Sequence, residues 1–201
     1  GLNTGGMGAV SPVPFCTADF MQKVEERIVK PTLQGIQSEQ IDYKGFIFIG
    51  LMNVSGNPFV IEYNVRMGDP ETEAVMARMD GDFADMLDKC AQGRLDEAQF
   101  SINPETAVTV MMVSGGYPES YRKGMAMSGF ESLGDCVAFH AGTAFNAEGQ
   151  VVTAGGRVLA VTALGDSIAS AREKAYRNVE KINFEGAAYR HDIGIDLMNC
   201  R

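Results

Sequence analysis

An α+β fold is predicted by two kinds of periodicity that occupy different stretches of the chain. Residues 19–40 and 166–182 carry apolar side chains at helical spacing, whereas 45–66 and 106–165 hold short β-branched runs punctuated by glycines. Composition is the third observation. Hydrophobic residues make up 45% and charged residues 21% of the 201 residues, which is enough to build a buried core and too apolar for a disordered chain.

In the first helical stretch Phe20, Val24, Ile28, Leu33 and Ile36 fall near one face, and Thr17 or Asp19 is placed to cap its start. Pro31 is expected to kink or split this helix, because it lacks an N–H and crowds the preceding turn. The run GFIFIGLMNV at 45–54, the turn Ser55-Gly56-Asn57 and the run PFVIEYNVR at 58–66 form a β-hairpin pattern. Its first strand is apolar on both faces and is therefore expected inside a sheet covered on both sides. Helices are expected over 71–78 and 82–91, with Gly93 placed to end the second. The polar stretch GRLDEAQFSINPE at 93–105 breaks the pattern, and two parts, 1–97 and 98–201, are drawn on either side of it. Beyond it TAVTVMMV (106–113), CVAFHAG (136–142), QVVTAGG (150–156) and RVLAVTALG (157–165) read as strands of a second, strand-rich unit. The helix at 166–182 closes that unit, with Ile168, Ala171, Ala175, Val179 and Ile182 turned inward.

Lys and Arg number 17 against 26 Asp and Glu, a formal net charge of −9, which argues against a general nucleic-acid binder. No apolar run approaches the ~20 residues that span a bilayer, and GLNTGGMGAV at the N-terminus lacks the basic and apolar segments of a secretory signal. A soluble cytoplasmic protein without membrane or nucleic-acid partners is expected. The chain opens on Gly1 inside a glycine-rich loop, so it is expected to be a piece of something longer. Cys16, Cys90, Cys136 and Cys200 stand singly, without C-x-x-C pairs, and are read as reduced thiols rather than zinc ligands or disulfides. The twelve methionines read as core filling.

Chemistry concentrates in VIEYNVRMGDPET at 60–72. On an extended strand Glu62, Asn64 and Arg66 point one way and Ile61, Tyr63 and Val65 the other. Glu62 and Asn64 are hard oxygen donors suited to Mg²⁺, and Arg66 suits a phosphorylated group. A solvated polar strand face would show the same alternation. The continuation adds weight to the first reading, because Gly68 and Pro70 define a tight turn that crowds Asp69 and Glu71 beside Arg66 at a helix start. The loop Asn3-Thr4-Gly5-Gly6-Met7-Gly8 can turn backbone N–H groups toward an anion, although it matches neither G-x-G-x-x-G nor the Walker pattern, and a plain flexible loop reads the same way. His140 and His191 are read as structural, Arg157 and Lys123 as candidate anion contacts, and no Ser-His-Asp or Cys-His arrangement stands out.

The strings NTGGMGAVSP (3–12), EYNVRMGDPET (62–72), GYPESYRKG (116–124), FHAGT (139–143) and GGRVLAVTALG (155–165) occur in one order. Together they resemble the C-terminal half of the phosphoribosylamine–glycine ligases, the glycinamide ribonucleotide synthetases of the ATP-grasp superfamily. The resemblance implies the C-terminal subdomain of an ATP-grasp domain, a sheet with flanking helices, followed by a small strand-rich domain closed by a helix. It implies ATP-dependent ligation of glycine to 5-phosphoribosylamine through a glycyl phosphate, in purine biosynthesis, with Mg²⁺ or Mn²⁺. By position it makes Glu62 and Asn64 metal ligands and Arg66 the catalytic arginine. It places Gly5, Gly6, Met7, Gly8, Gly68, Asp69, Pro70, Glu71 and Thr72 on the substrate side. Nothing in the chain resembles the family's N-terminal domain or its ATP lid, so the missing N-terminal part of the same enzyme is the implied partner and the chain alone is expected to be inactive. Many ATP-grasp relatives carry a further metal-binding acid on the preceding strand; 45–54 has none, and metal affinity without ATP is expected to be weak. The alternatives are a non-catalytic structural or binding fragment, or another ATP-grasp enzyme such as a biotin-dependent carboxylase.

Overall fold

A computed structural model describes residues 2–200; Gly1 and Arg201 lie outside the described residues. In chain order the elements are β1 (Gly8–Ser11), α1 (Ala18–Val24), α2 (Lys30–Ser38), β2 (Phe48–Val54), β3 (Asn57–Asn64), α3 (Glu71–Arg78), β4 (Met79–Gly81), α4 (Phe83–Ala91) and β5 (Phe100–Ile102). There follow β6 (Thr106–Val113), β7 (Val137–His140), β8 (Thr143–Phe145), β9 (Val151–Thr153), β10 (Arg157–Gly165), α5 (Ile168–Val179) and α6 (Ile195–Met198). The fold is α+β. The chain groups into two compact units. A sheet unit comprises the N-terminal stretch through Pro12, Asp69–Met79 and Asn103–Cys200; a hairpin unit comprises Val13–Gly68 and Asp80–Ile102. These units divide the chain differently from a linear cut between 97 and 98, because β1 at the N-terminus hydrogen-bonds into the C-terminal sheet.

The sheet unit is built on four antiparallel strands in the order β1-β6-β10-β7. In β6 and β10 the register pairs Val110 with Val161 and Val108 with Ala163, and the two-residue period of a strand sends these to one face, where Ala171, Ala175 and Val179 of α5 complete the core. The neighbouring pair Thr109–Thr162 points the opposite way, as do Met111 and Ala160, which join Val113, Met7, Tyr117 and Phe139 in a second cluster. Ser167 caps α5 by accepting from Ser170 N at 3.2 Å, two residues into the stretch expected to be helical. Strand β1, too short to stand out by periodicity, and β8, which pairs with the expected strand β9, are additions to the expected elements.

In the hairpin unit Thr17 caps the first helix, accepting from Phe20 N at 3.3 Å. The effect of Pro31 is visible as a π-helical turn over Glu25–Val29 between α1 and α2. That turn contains Arg27, the residue whose carbonyl the proline ring would crowd in an unbroken α-helix. Asp82 caps α4, and Gly93 follows its end at φ 73°, as expected. The β2–β3 turn is shorter than expected. Asn57 already pairs with Val54, leaving Ser55 (φ 51°) and Gly56 (φ 76°) as a two-residue turn of the kind that matches strand twist. The expectation of a sheet covered on both faces is not met within this chain. Among the described residues β2 and β3 form a two-stranded sheet, and Met52 (53%), Phe59 (57%) and Ile61 (61%) on it stay exposed.

Thr109 and Thr162 are buried side by side, with their hydroxyls 2.8 Å apart. Thr109→Val is expected to cost about 1–3 kcal/mol in urea denaturation, because it strands the other hydroxyl in the core, while the double Thr109→Val/Thr162→Val variant recovers most of that loss. Additive losses in the double variant would show that the hydroxyls do not satisfy one another.

Candidate functional site

Within the hairpin unit, β3 presents Glu62 and Asn64 on one face, where the Asn64 amide donates to Glu62 Oε1 at 3.0 Å. The facing strand makes room for them. Gly50 pairs with Glu62, and a Cβ at Gly50 would stand 3.1 Å from Glu62 Cγ. Because Leu51 pairs with Val60, Ile61 is an extra residue on β3, a bulge that re-aims the end of the strand carrying the two polar side chains. Tyr63 lies on the other face, its hydroxyl 2.9 Å from Thr32 Oγ1 of α2. Arg66 lies beyond the end of β3, so strand periodicity does not carry it. There the Tyr43 hydroxyl reaches the Val65 carbonyl at 3.2 Å, and the Arg66 guanidinium donates to the Met67 carbonyl at 2.9 Å. Among the described residues no group of three or more His, Cys, Asp or Glu is arranged to hold a metal ion. The Glu62–Asn64 pair offers only carboxylate and amide oxygens, donors that suit a hard divalent cation sharing its shell with water and phosphate.

Within the sheet unit, Tyr117 and Arg157 hold the glycine-rich loop, and Arg157, at the start of β10, also holds the turn that leads into α3. Tyr117 accepts from Gly5 N at 2.9 Å. Arg157 donates to both Asp69 carboxylate oxygens (3.0 and 2.7 Å), to the Asp69 carbonyl (3.0 Å) and to the Gly6 carbonyl (3.3 Å). The anion that Arg157 meets is therefore a residue of the protein itself. A Cβ at Gly6 would lie 2.3 Å from Pro70 Cδ, so only glycine permits that approach. Met7 turns into the core with Met111, Val113 and Ala160, its carbonyl accepting from Met111 N at 3.0 Å; Gly8 begins β1, pressed against the Thr109 carbonyl. Gly68 and Pro70 are buried, Asp69 and Glu71 exposed, and Glu71 and Thr72 open α3. Two residues on, Glu73 buries one carboxylate oxygen without a hydrogen-bond partner. Burial pushes its carboxyl up from the usual range; Asp69 and Glu71 add to this, and a backbone hydrogen bond and Arg157 oppose it.

Both histidines make contacts within the protein. His140 shares a hydrogen bond with Thr143 and stacks on Phe130, and His191 packs on Tyr189. All four cysteines are free, and burial pushes the Cys16 and Cys136 thiols up, away from the thiolate a nucleophile needs. No helix is long and apolar enough to cross a membrane among the described residues.

Comparison with known proteins gives two separate matches. Residues 1–72 match the family model described as the ATP-grasp (A) domain of phosphoribosylglycinamide synthetase, and residues 107–196 match that of its C domain. The chain belongs to the phosphoribosylglycinamide synthetase family. A phosphoribosylamine–glycine ligase of Neisseria meningitidis serogroup B is 43% identical over 201 residues, which is 99% of this chain and 48% of that protein. The crystal structure of phosphoribosylamine–glycine ligase from Thermotoga maritima superposes with a TM-score of 0.83 at 37% identity, covering 96% of this chain and 47% of that one. The chain spans about half the length of the curated relatives it matches. The biotin carboxylase subunit of pyruvate carboxylase, at 15% identity, covers 91% of this chain and 40% of its own with a TM-score of 0.57, a likeness of fold alone.

The resemblance drawn from the five sequence strings is thus borne out. Glu62, Asn64, Arg66, the 5–8 loop and the 68–72 turn all fall inside the synthetase A-domain match, and Tyr117 and Arg157 inside the C-domain match. Sequence reasoning missed three features. Gly50 stands in an apolar run, where it looks like padding until its cross-strand partner is known. Tyr117 lies in a string used for recognition yet gave no sign of reaching Gly5, which is 112 residues away. Glu73 reads as an ordinary helix-surface acid, and only packing reveals its buried oxygen.

A carboxyl raised on folding binds its proton more tightly in the native state, so stability falls as pH rises from the ordinary carboxylate range through the raised value. Glu73→Gln is therefore expected to raise the melting temperature near pH 7 and to lose that advantage below about pH 4. Thermal melts across that range check it; a less stable variant near pH 7 would contradict the sign.

Proposed function

We propose that this chain supplies the metal-bearing strand and the C domain of an ATP-dependent carbon–nitrogen ligase. In this reading the enzyme joins glycine to 5-phosphoribosylamine, giving glycinamide ribonucleotide, ADP and phosphate, and the remaining half of the protein brings the N-terminal domain and the ATP lid. The observation that carries it is the Glu62–Asn64 contact on one face of β3, inside the stretch matched by the synthetase ATP-grasp model. Relatives of this name, at about 43% identity, support it further. The likeness to biotin carboxylases lies in fold and does not favour carboxylation.

Glu62 and Asn64 would hold Mg²⁺ or Mn²⁺ through the Glu62 carboxylate and the Asn64 amide oxygen. When bound, the ion supplies positive charge to the ATP phosphates. Two protein oxygens would make a weak site without nucleotide. Arg66, on the loop just past β3, would exchange its contact with the Met67 carbonyl for two oxygens of the glycyl phosphate and steady the charge that develops as the amine displaces phosphate. Gly5, Gly6, Met7, Gly8 and the turn Gly68, Asp69, Pro70, Glu71 and Thr72 would border glycine and the amine. Met7 would contribute through its backbone, since its partly buried side chain packs against Met111, Val113 and Ala160. Free thiols suit a reducing, cytoplasmic setting.

In the full-length ligase, Arg66→Lys keeps the charge and loses the planar fork. It is expected to lower kcat about a hundredfold, on the order of 3 kcal/mol in the barrier, with the KM for ATP little changed. Steady-state kinetics beside a thermal melt check it; a near-normal kcat with a lowered melting temperature would make Arg66 a brace and not a catalytic residue. The 201-residue chain alone is expected to release no ADP in response to glycine and phosphoribosylamine, because positioning and closure around the phosphates depend on parts it lacks. Turnover above background by the chain alone would overturn that division of labour.

A further inference from the structure

We propose that Arg157 is a positioning residue that holds the glycine-rich loop and the Asp69–Pro70 turn in one fixed arrangement; the functional consequence rests on the ligase reading above. The basis is geometric. One guanidinium meets four acceptors on two segments, the Gly6 carbonyl on one and the Asp69 carbonyl and both carboxylate oxygens on the other. Those segments are far apart in sequence and belong to the same compact unit. The Arg157 side chain is only 23% exposed, against 51% for Asp69, so the pair is better shielded than the exposed Arg122–Glu185 pair at 73% and 67%. Ion pairs of the exposed kind contribute little, whereas a bidentate fork with further carbonyl acceptors orders what it touches.

The arginine is itself anchored. Arg157 begins β10, and the turn before it is fastened by Ser114, whose hydroxyl donates to the Gly155 carbonyl at 2.8 Å and whose N–H donates to the Gly156 carbonyl at 2.8 Å. Glycines allow the close packing there. A Cβ at Gly142 would lie 2.4 Å from the Arg157 carbonyl, and one at Gly156 would lie 2.3 Å from the Tyr117 ring. Tyr117 is thereby pressed into place, and its hydroxyl accepts from Gly5 N at 2.9 Å. Two anchored side chains therefore grip adjacent residues of the glycine-rich loop, and one of them grips the turn as well. A Cβ at Gly5 would stand 3.0 Å from Arg157 Cζ and 3.1 Å from the Tyr117 hydroxyl, so the loop sits against both grips at once. A lysine at 157 would keep the charge but offers a point instead of a fork, and cannot reproduce contacts on both segments.

The test has two arms. In the 201-residue chain, hydrogen exchange read by mass spectrometry is expected to speed up roughly tenfold or more over 5–8 and 68–72 in Arg157→Gln and in Arg157→Lys, with β6 unchanged. Tyr117→Phe is expected to act on the 5–8 loop alone, and Arg122→Gln, which removes an exposed pair, on neither. In the full-length ligase both Arg157 variants are expected to raise the KM for glycine or phosphoribosylamine roughly tenfold while leaving the KM for ATP within about twofold. Exchange within about twofold of wild type in Arg157→Gln, or a kcat loss in step with the folded fraction at unchanged KM values, would overturn the proposal. A wild-type ligase with no glycine-dependent ADP release would contradict the ligase reading and with it any role for Arg157 in that reaction; the exchange arm would still decide whether Arg157 holds loop to turn.

Discussion

Strands β6 and β10 lie side by side at the centre of the four-stranded sheet, and Ala107, Val108, Val110, Met111, Leu159, Ala160 and Val161 on them are fully buried. Water cannot reach these positions, so the backbone groups there depend on the ladder, and the one polar pair, Thr109 with Thr162, satisfies itself. The loops of the sheet unit take their positions from that ladder. β1 joins the free side of β6 and brings the glycine-rich loop with it; β7 joins β10; and Arg157, the first residue of β10, is carried to the place where it meets that loop.

A rigid pair of central strands explains how a loop of small residues acquires a definite shape. Glycines at 5, 6 and 8 have no side chains with which to order themselves, and the order comes from outside: Tyr117 on Gly5, Arg157 on Gly6, Pro70 packed on Gly6, and the β6 backbone against Gly8. The hairpin unit solves a related problem differently. There the polar face of β3 is set by strand alternation, by the bulge at Ile61 and by the missing side chain at Gly50. Order in one unit is imposed by side chains, and in the other by backbone register.

Much of this was legible in the sequence because it depends on local periodicity. The capped helix at Thr17, the α4 helix between Asp82 and Gly93, strands β6 and β10 and the closing helix all follow from spacing and caps. Glu62 beside Asn64 follows from the two-residue period, and Arg66 does not share that geometry because the strand ends before it. What was not legible is long-range. β1 is four residues with no alternation of its own and exists because β6 offers an edge. Arg157 read as a contact for an outside anion because nothing near it in sequence is acidic, whereas its partner, Asp69, lies 88 residues away. The covered sheet expected around β2 is not formed among the described residues, where β2 and β3 pair only with each other.

The assignment of Glu62 and Asn64 as the metal-bearing pair of a ligase is tested most directly by titrating Mg²⁺ in a glycine-dependent ADP-release assay. The assay uses the full-length enzyme, wild type beside Glu62→Gln. The expected result is turnover in the wild type and a roughly tenfold higher metal requirement in the variant, since an amide in place of a carboxylate weakens a site with only two protein oxygens. Superimposable metal curves with turnover retained would contradict the assignment.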